Sequence, residues 1–214
     1  RSIIRFSGTV SPLTLYQRLH GQPSNDAEDA GQSVTAMRAS APFTSERIKV
    51  LTVTDIDTFY RRRLQSLPQL CDLIATLQRA HSGRYLVAMP SYEYLHHLAK
   101  SPHRPANFIA QIPAMDEAQQ LALLKKFRQA SSAVLGIVMG GVFAESLDLG
   151  VGVVEGVVVV SLGLPPTDLI RSLSVNYFNS SDGSGWGEQV AYLQPAMTRV
   201  VQAAGRVIRA VSYT

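Results

Sequence analysis

A single cysteine, Cys71, stands in 214 residues. One thiol excludes an internal disulfide framework, a CxxC metal knuckle and any four-cysteine cluster built from this chain alone. Long apolar runs are missing too. A helix crossing a bilayer needs about 18–20 consecutive apolar residues, and the longest candidate, Val151 to Leu164, is short and interrupted by Glu155. Neither a Walker A loop, G-x-x-x-x-G-K-[ST], nor a D-E-x-H box occurs, so the chain has no phosphate-cradling loop of that type. It opens on Arg1, without an apolar signal segment and small-residue cleavage site. A cytoplasmic protein, and a piece of a longer polypeptide, is the expectation. Charged residues are scarce at 17% against 46% hydrophobic, the balance of a folded chain rather than a disordered one. Twenty Lys and Arg against sixteen Asp and Glu leave a net charge of +4. Such a mildly basic chain is compatible with a nucleic-acid partner without requiring one.

Along the chain, Arg1 to Phe6 reads as a short buried strand. Pro12 then opens a helical pattern through Leu13, Tyr16 and Leu19. From Gly21 to Glu46, Gly, Pro, Ser, Asn, Asp, Ala and Thr dominate without periodicity, which marks a linker or mobile loop. Strand-like and helix-like segments alternate after it. Strands are expected at Ile48–Thr54, Tyr85–Met89, Val134–Met139 and Val157–Val160, the last two as continuous apolar runs of strands covered on both faces. Helices are expected at Arg63–His81, Tyr92–Ala99, Glu117–Phe127, Leu169–Phe178 and Ala196–Val211. Asn179 to Gly187 reads as a Gly/Ser-rich loop leading through Trp186, the only tryptophan. Such alternation predicts an α/β sandwich, a mostly parallel central sheet with helices on both faces.

Several groups of residues carry chemistry. Gln202, Arg206 and Arg209 fall at i, i+4 and i+7, one face of the last helix. Two guanidiniums beside a Gln, drawn close by Ala203, Ala204 and Gly205, suit a polyanion such as a triphosphate; the plainer alternative is a solvated basic face. Tyr60-Arg61-Arg62-Arg63 pairs an aromatic with three cations at a strand-to-helix junction. That combination suits phosphates and a stacked base, and equally an exposed basic helix start. Ser91 and Tyr92 follow Pro90 at a strand end that opens a helix, a place where backbone N–H groups can hold a phosphate. Cys71, among Leu70, Leu73 and Ile74, reads as core packing. The histidines show no metal-binding spacing, and no metal is expected. The glycines of Gly150-Val151-Gly152-Val153-Val154-Glu155-Gly156 precede an apolar strand instead of following one, the wrong context for dinucleotide binding.

Several segments in order resemble the DinG/XPD-type superfamily 2 DNA helicases over nearly all of the chain. Gln202-Ala203-Ala204-Gly205-Arg206-Val207-Ile208-Arg209 resembles motif VI. Met139 to Asp148 resembles motif V, with Ser146 in place of the customary Gly. Tyr85 to Tyr92 resembles the family's Y-L-V-F-x-P-S-Y segment. Gly163-Leu164-Pro165-Pro166 and Pro195-Ala196-Met197 fall in the family's order, and Ser7-Gly8-Thr9 occupies the place of motif III, usually Ser-Ala-Thr.

The resemblance implies a RecA-like second motor domain of an ATP-dependent DNA helicase, with ATP and Mg held mainly by a first motor domain of the same polypeptide. Residues 1–20 would be the end of that first domain, 21–46 a linker or mobile loop, and 47–214 the second domain. Arg206 and Arg209 would stabilise the γ-phosphate and Gln202 would orient the hydrolytic machinery. Glu145, Asp148 and Gly205 would contact nucleotide, and Ser7 and Thr9 would couple the domains. Ser91, Tyr92 and Gly141, with Arg61, Arg62 and Arg63, would contact single-stranded DNA. The chain alone should be inactive, monomeric and without a membrane partner. An iron–sulfur cluster, carried by many members in the first domain, would lie outside this chain. Two rivals are a non-catalytic helicase-like module that binds nucleic acid or protein, and a Rossmann oxidoreductase, which the misplaced glycines disfavour.

Overall fold

The apolar runs and helical patterns assemble into a parallel sheet with helices on both faces. The computed structural model describes residues 9, 11–19, 36–39, 48–141, 143, 153–182 and 185–208. The chain divides into two compact units, Arg1–Lys49 and Val50–Thr214. In the first, helix α1 (Leu13–Leu19) starts directly after Pro12 and buries Leu15. The second holds α2 (Leu67–Ala80), β1 (Arg84–Met89), α3 (Tyr92–Lys100), β2 (Phe108–Ala110), α4 (Glu117–Gln129), β3 (Ala133–Val138), β4 (Gly156–Val159), α5 (Leu169–Asp182) and α6 (Gln194–Ile208). A helical turn, Trp186–Glu188, and a π-helical segment, Gln189–Leu193, lead into α6.

Among the described residues the strands run in the order β2-β3-β1-β4, every neighbouring pair parallel. Arg84 to Met89 lie opposite Ala133 to Val138, and Tyr85 to Ala88 opposite Gly156 to Val159. Successive side chains point to opposite faces, so each central strand feeds two cores. Leu86, Ala88, Leu135 and Ile137 pack with Leu124 and Phe127 of α4 and Ala203 of α6. Val87, Met89, Val134 and Val138 pack on the other face with Leu70, Cys71 and Ile74 of α2 and Tyr94, Leu95 and Leu98 of α3. Each fully buried side chain of this size contributes about 1.5–3 kcal/mol, so these two layers hold the fold. Local signals start the helices. Pro68 opens the first turn of α2. Asp116 and Gln119 form a reciprocal capping box on α4, at 2.7 and 3.0 Å.

Four expectations change. Ile48–Thr54 is not a strand: it is irregular, with Val50, Leu51 and Val53 exposed. Its β-branched residues favour extended backbone, but no described strand lies beside it to take its hydrogen bonds. The helix expected from Arg63 begins at Leu67, because residues 59–66 form turns, with Arg62 and Arg63 N–H groups both donating to the Phe59 carbonyl. The loop expected over Asn179–Gly187 is shorter, since α5 runs on to Asp182. Asn179 closes it, accepting from Gly187 N–H at 2.8 Å and donating to Glu188 at 3.3 Å. Gly187 is required there, for a Cβ would sit 2.2 Å from the Val175 carbonyl oxygen. Finally, β2 is an unanticipated strand, three half-buried residues too short for periodicity to reveal. The strand expected at Arg1–Phe6 and nearly all of the 21–46 segment lie outside the described residues.

Candidate functional site

The C-terminal ends of parallel strands share one edge, and open α/β sheets bind ligands outside that edge. Here β1 leads into Pro90-Ser91-Tyr92, β2 into Gln111 and β3 into Met139-Gly140-Gly141. Ser91 caps α3, its Oγ accepting from Tyr94 N–H at 3.3 Å. Gln111 is buried and ties the three ends together. Its N–H donates to the Gly136 carbonyl at 2.9 Å, its Oε1 accepts from Val138 N–H at 3.0 Å, and its Nε2 donates to Tyr92 Oη at 2.7 Å. Gly141 closes over this pair: a Cβ there would stand 3.6 Å from Gln111 Nε2, 3.9 Å from Tyr92 Oη and 3.1 Å from the Val138 carbonyl oxygen. Ser91-Tyr92 and Gly141, far apart in sequence, therefore meet at one place. Beside them runs a groove of about 270 Å³ between α3 and the segment after β2, lined by Tyr92, His96, Ala99, Gln111, Ile112 and Pro113 among others.

Further along the same edge, Arg199 of α6 bridges the strand ends. Its Nη1 donates to the Gly163 carbonyl at 3.2 Å, and its guanidinium lies against Gly140, where a Cβ would come within 2.9 Å of Nε. Gly140 also holds a left-handed φ of +74°, so glycine is needed there on two counts. Neither Gln111 nor Arg199 was expected as a site residue. Arg199 had a signal: it shares the i, i+3, i+7 face with Gln202 and Arg206. Gln111 had none, because the strand it follows is too short to be read from the sequence.

The three arginines do not form one outward patch. Arg63 is buried, its guanidinium 4.4 Å from the Tyr60 ring centre and 4.8 Å from that of Tyr94, with Nη2 donating to Glu93 at 3.0 Å. Its carbonyl accepts from Tyr94 Oη at 3.1 Å. Arg62 pairs with Asp57 at 2.8 Å and lies over Phe59. Arg61 alone is exposed with no ion pair among the described residues. Burial also raises the Tyr94 hydroxyl above its ordinary pKa, and it pushes the Cys71 thiol up in the same way, beside Ser101 Oγ at 3.7 Å.

On α6, Gln202 is half-buried and Arg206 is only 8% exposed, so Arg206 is not on a solvated face. The close packing expected around it holds for Ala203 alone: Ala204 is exposed, and a Cβ on Gly205 would meet nothing within 4 Å. Thr9, in the first unit, accepts from Ser11 N–H at 2.9 Å. Ser7, Glu145, Asp148 and Arg209 lie outside the described residues. Among the described residues no group of three His, Cys, Asp or Glu stands ready to hold a metal ion, and no helix is long and apolar enough to cross a membrane.

A family model for the helicase C-terminal domain matches residues 74–212. Among solved structures, the chain is similar to an XPD helicase, at 20% identity over 72% of this chain and 27% of that one, with a TM-score of 0.56. It is similar to an apo XPD, at 20% identity, 71% and 31% coverage and a TM-score of 0.55. An XPD protein of S. tokodaii matches at 20% identity, 72% and 30% coverage and a TM-score of 0.51. The chain thus spans under a third of the length of each, and the shared property is the fold.

Proposed function

We propose that this chain, which belongs to the helicase C-terminal domain family, is the second motor domain of an ATP-dependent DNA helicase of the DinG/XPD kind. Single-stranded DNA runs along the edge formed by Ser91, Tyr92 and Gly141. ATP and Mg are held mainly by a first motor domain of the same polypeptide, and the enzyme works as a monomer. Across the cleft between the domains, Arg206 and Arg209 stabilise the negative charge that gathers as the γ-phosphoryl group departs, with Gln202 beside them. Glu145 and Asp148 link nucleotide state to the grip on DNA. The observation that carries the reading is the convergence of Ser91, Tyr92 and Gly141 at the C-terminal sheet edge, beside a groove, in a chain of this family. The site draws Ser91 and Tyr92 from one segment and Gly141 from another, and both segments, Tyr85–Tyr92 and Met139–Asp148, resemble helicase motifs.

The burial of Arg206 favours a second reading, a helicase-like module that binds nucleic acid without using ATP. One substitution separates the two. In the helicase that carries this domain, Arg206→Ala should lower kcat for DNA-stimulated ATP hydrolysis by about 10³-fold or more in the folded protein, measured below its melting transition, with KM for ATP little changed. A lowered melting temperature with hydrolysis intact in the folded fraction would leave the binding module as the reading.

A further inference from the structure

The orientation of the Gln111 amide decides what Tyr92 can do. A backbone N–H only donates, so the end of the side chain that meets Val138 N–H at 3.0 Å must be the carbonyl oxygen. The amide nitrogen is thereby turned to Tyr92, and it donates to Oη at 2.7 Å. A phenol has one proton to give. With its oxygen already accepting from Gln111, Tyr92 keeps its own O–H proton for an acceptor elsewhere, and no described residue supplies one. Tyr92 is half-buried, and the groove of about 270 Å³ opens beside it.

We infer that Gln111 is a positioning residue that makes Tyr92 an outward hydrogen-bond donor, and that the acceptor is a phosphate oxygen of the bound single strand. The inference rests on the DNA-binding reading above and adds the polarity of the contact. An anionic oxygen suits the geometry because it only accepts, and hydrogen bonds to charged acceptors are about twice as strong as neutral ones. The contact reads no base, so it grips any sequence. Buried Gln111 never touches the strand; it sets the direction of the hydroxyl that does.

The test uses the 214-residue chain, with fluorescence anisotropy of a labelled oligothymidylate at fixed low salt and a thermal melt of every variant. Tyr92→Phe should weaken binding about tenfold when compared below the melting transition, which itself falls because the buried Gln111 amide loses its acceptor. Gln111→Glu should do the same at neutral pH, because both carboxylate oxygens accept and the Tyr92 proton is drawn inward. In the Tyr92→Phe background, Gln111→Glu should cost no further affinity. The Tyr92→Phe ratio should persist on a strand of abasic tetrahydrofuran sites, which keeps phosphates and lacks bases. Should Gln111→Glu fail to fold, Tyr92→Phe on the two strands still decides the matter. Absence of binding by the parent chain would overturn the DNA-binding reading and this inference together. Normal binding by the parent with an undiminished Tyr92→Phe affinity would overturn only the inference. An effect lost on the abasic strand would move the acceptor to a base and overturn the phosphate assignment. Additive losses in the double variant would remove Gln111 from the positioning role.

Discussion

The Tyr60–Arg63 segment and the sheet edge at Tyr92 both offer themselves as places for nucleic acid, and they fare differently in the fold. The first has the charge. Yet Arg63 is sandwiched between two tyrosine rings and paired with Glu93, and Arg62 is held by Asp57. The second has no formal charge on Ser91, Tyr92, Gln111 or Gly141, but it has directed polar groups and an open groove. A run of cations in sequence counts donors without counting the partners that folding brings to them. Glu93 sits one residue after Tyr92 on α3, so Arg63 contributes to the candidate interface indirectly, by anchoring the first turn of α3.

The largest effect that would break this comparison belongs to Arg63. Arg63→Ala removes two cation–π contacts and buried packing, together about 2–3 kcal/mol. For a unit of this size that is a fall of roughly 5–10 °C in melting temperature. Affinity for single-stranded DNA, measured below the transition, should keep the parent's salt slope. A lowered slope in a well-folded Arg63→Ala protein would return that arginine to the DNA surface.

Gly141→Leu sharpens the other side of the comparison. Its side chain grows from a Cβ position 3.9 Å from Tyr92 Oη and 3.6 Å from Gln111 Nε2, so it should cover the donor and weaken DNA binding about tenfold. The melting temperature should also fall by a few degrees, because the same Cβ stands 3.1 Å from the Val138 carbonyl oxygen of β3. Unchanged affinity would place the strand elsewhere.

A smaller effect comes from Tyr94, which joins the two regions by donating to the Arg63 carbonyl. Burial raises its folded pKa above the unfolded value near 10. Folding therefore favours the neutral phenol. The associated stability is fully present below pH about 10 and is lost as pH rises through the folded value. Denaturant melts from pH 8 to 11 should show a decline that Tyr94→Phe reduces, the remainder coming from Cys71 and Tyr85, which burial raises in the same way. The smallest effect is that of Arg61→Ala: the salt slope should drop by at most about one, with stability within roughly 0.5 kcal/mol of the parent.

Much of the architecture was legible because its signals are local. Tyr85–Met89 and Val134–Met139 are apolar throughout, as strands covered on both faces must be, and α2, α3, α4 and α6 follow their apolar spacing. Ile48–Thr54 misled because β-branched residues favour a strand only where a partner exists. Strand β2 escaped because three residues carry no period. In the site, Ser91, Tyr92 and Gly141 stood out through their motifs, whereas Gln111 lies 19 residues from Tyr92 and has meaning only through Val138, a further 27 residues on. The burial of Arg63 was not legible although Tyr60, one of its two stacking partners, is three residues away. An aromatic beside arginines can serve a base or its own neighbour, and the sequence alone does not choose.

Photocrosslinking tests the central claim most directly, that the strand is gripped at the C-terminal sheet edge rather than by the arginine-rich turn. A 4-thiothymidine oligonucleotide would be irradiated in complex with the chain and the adducts mapped by mass spectrometry. Adducts should fall on the peptides that contain Ser91–Tyr92 and Gln111–Pro113, and Tyr92→Phe should lower their yield. Adducts confined to the Tyr60–Arg63 peptide, unaffected by Tyr92→Phe, would contradict the account.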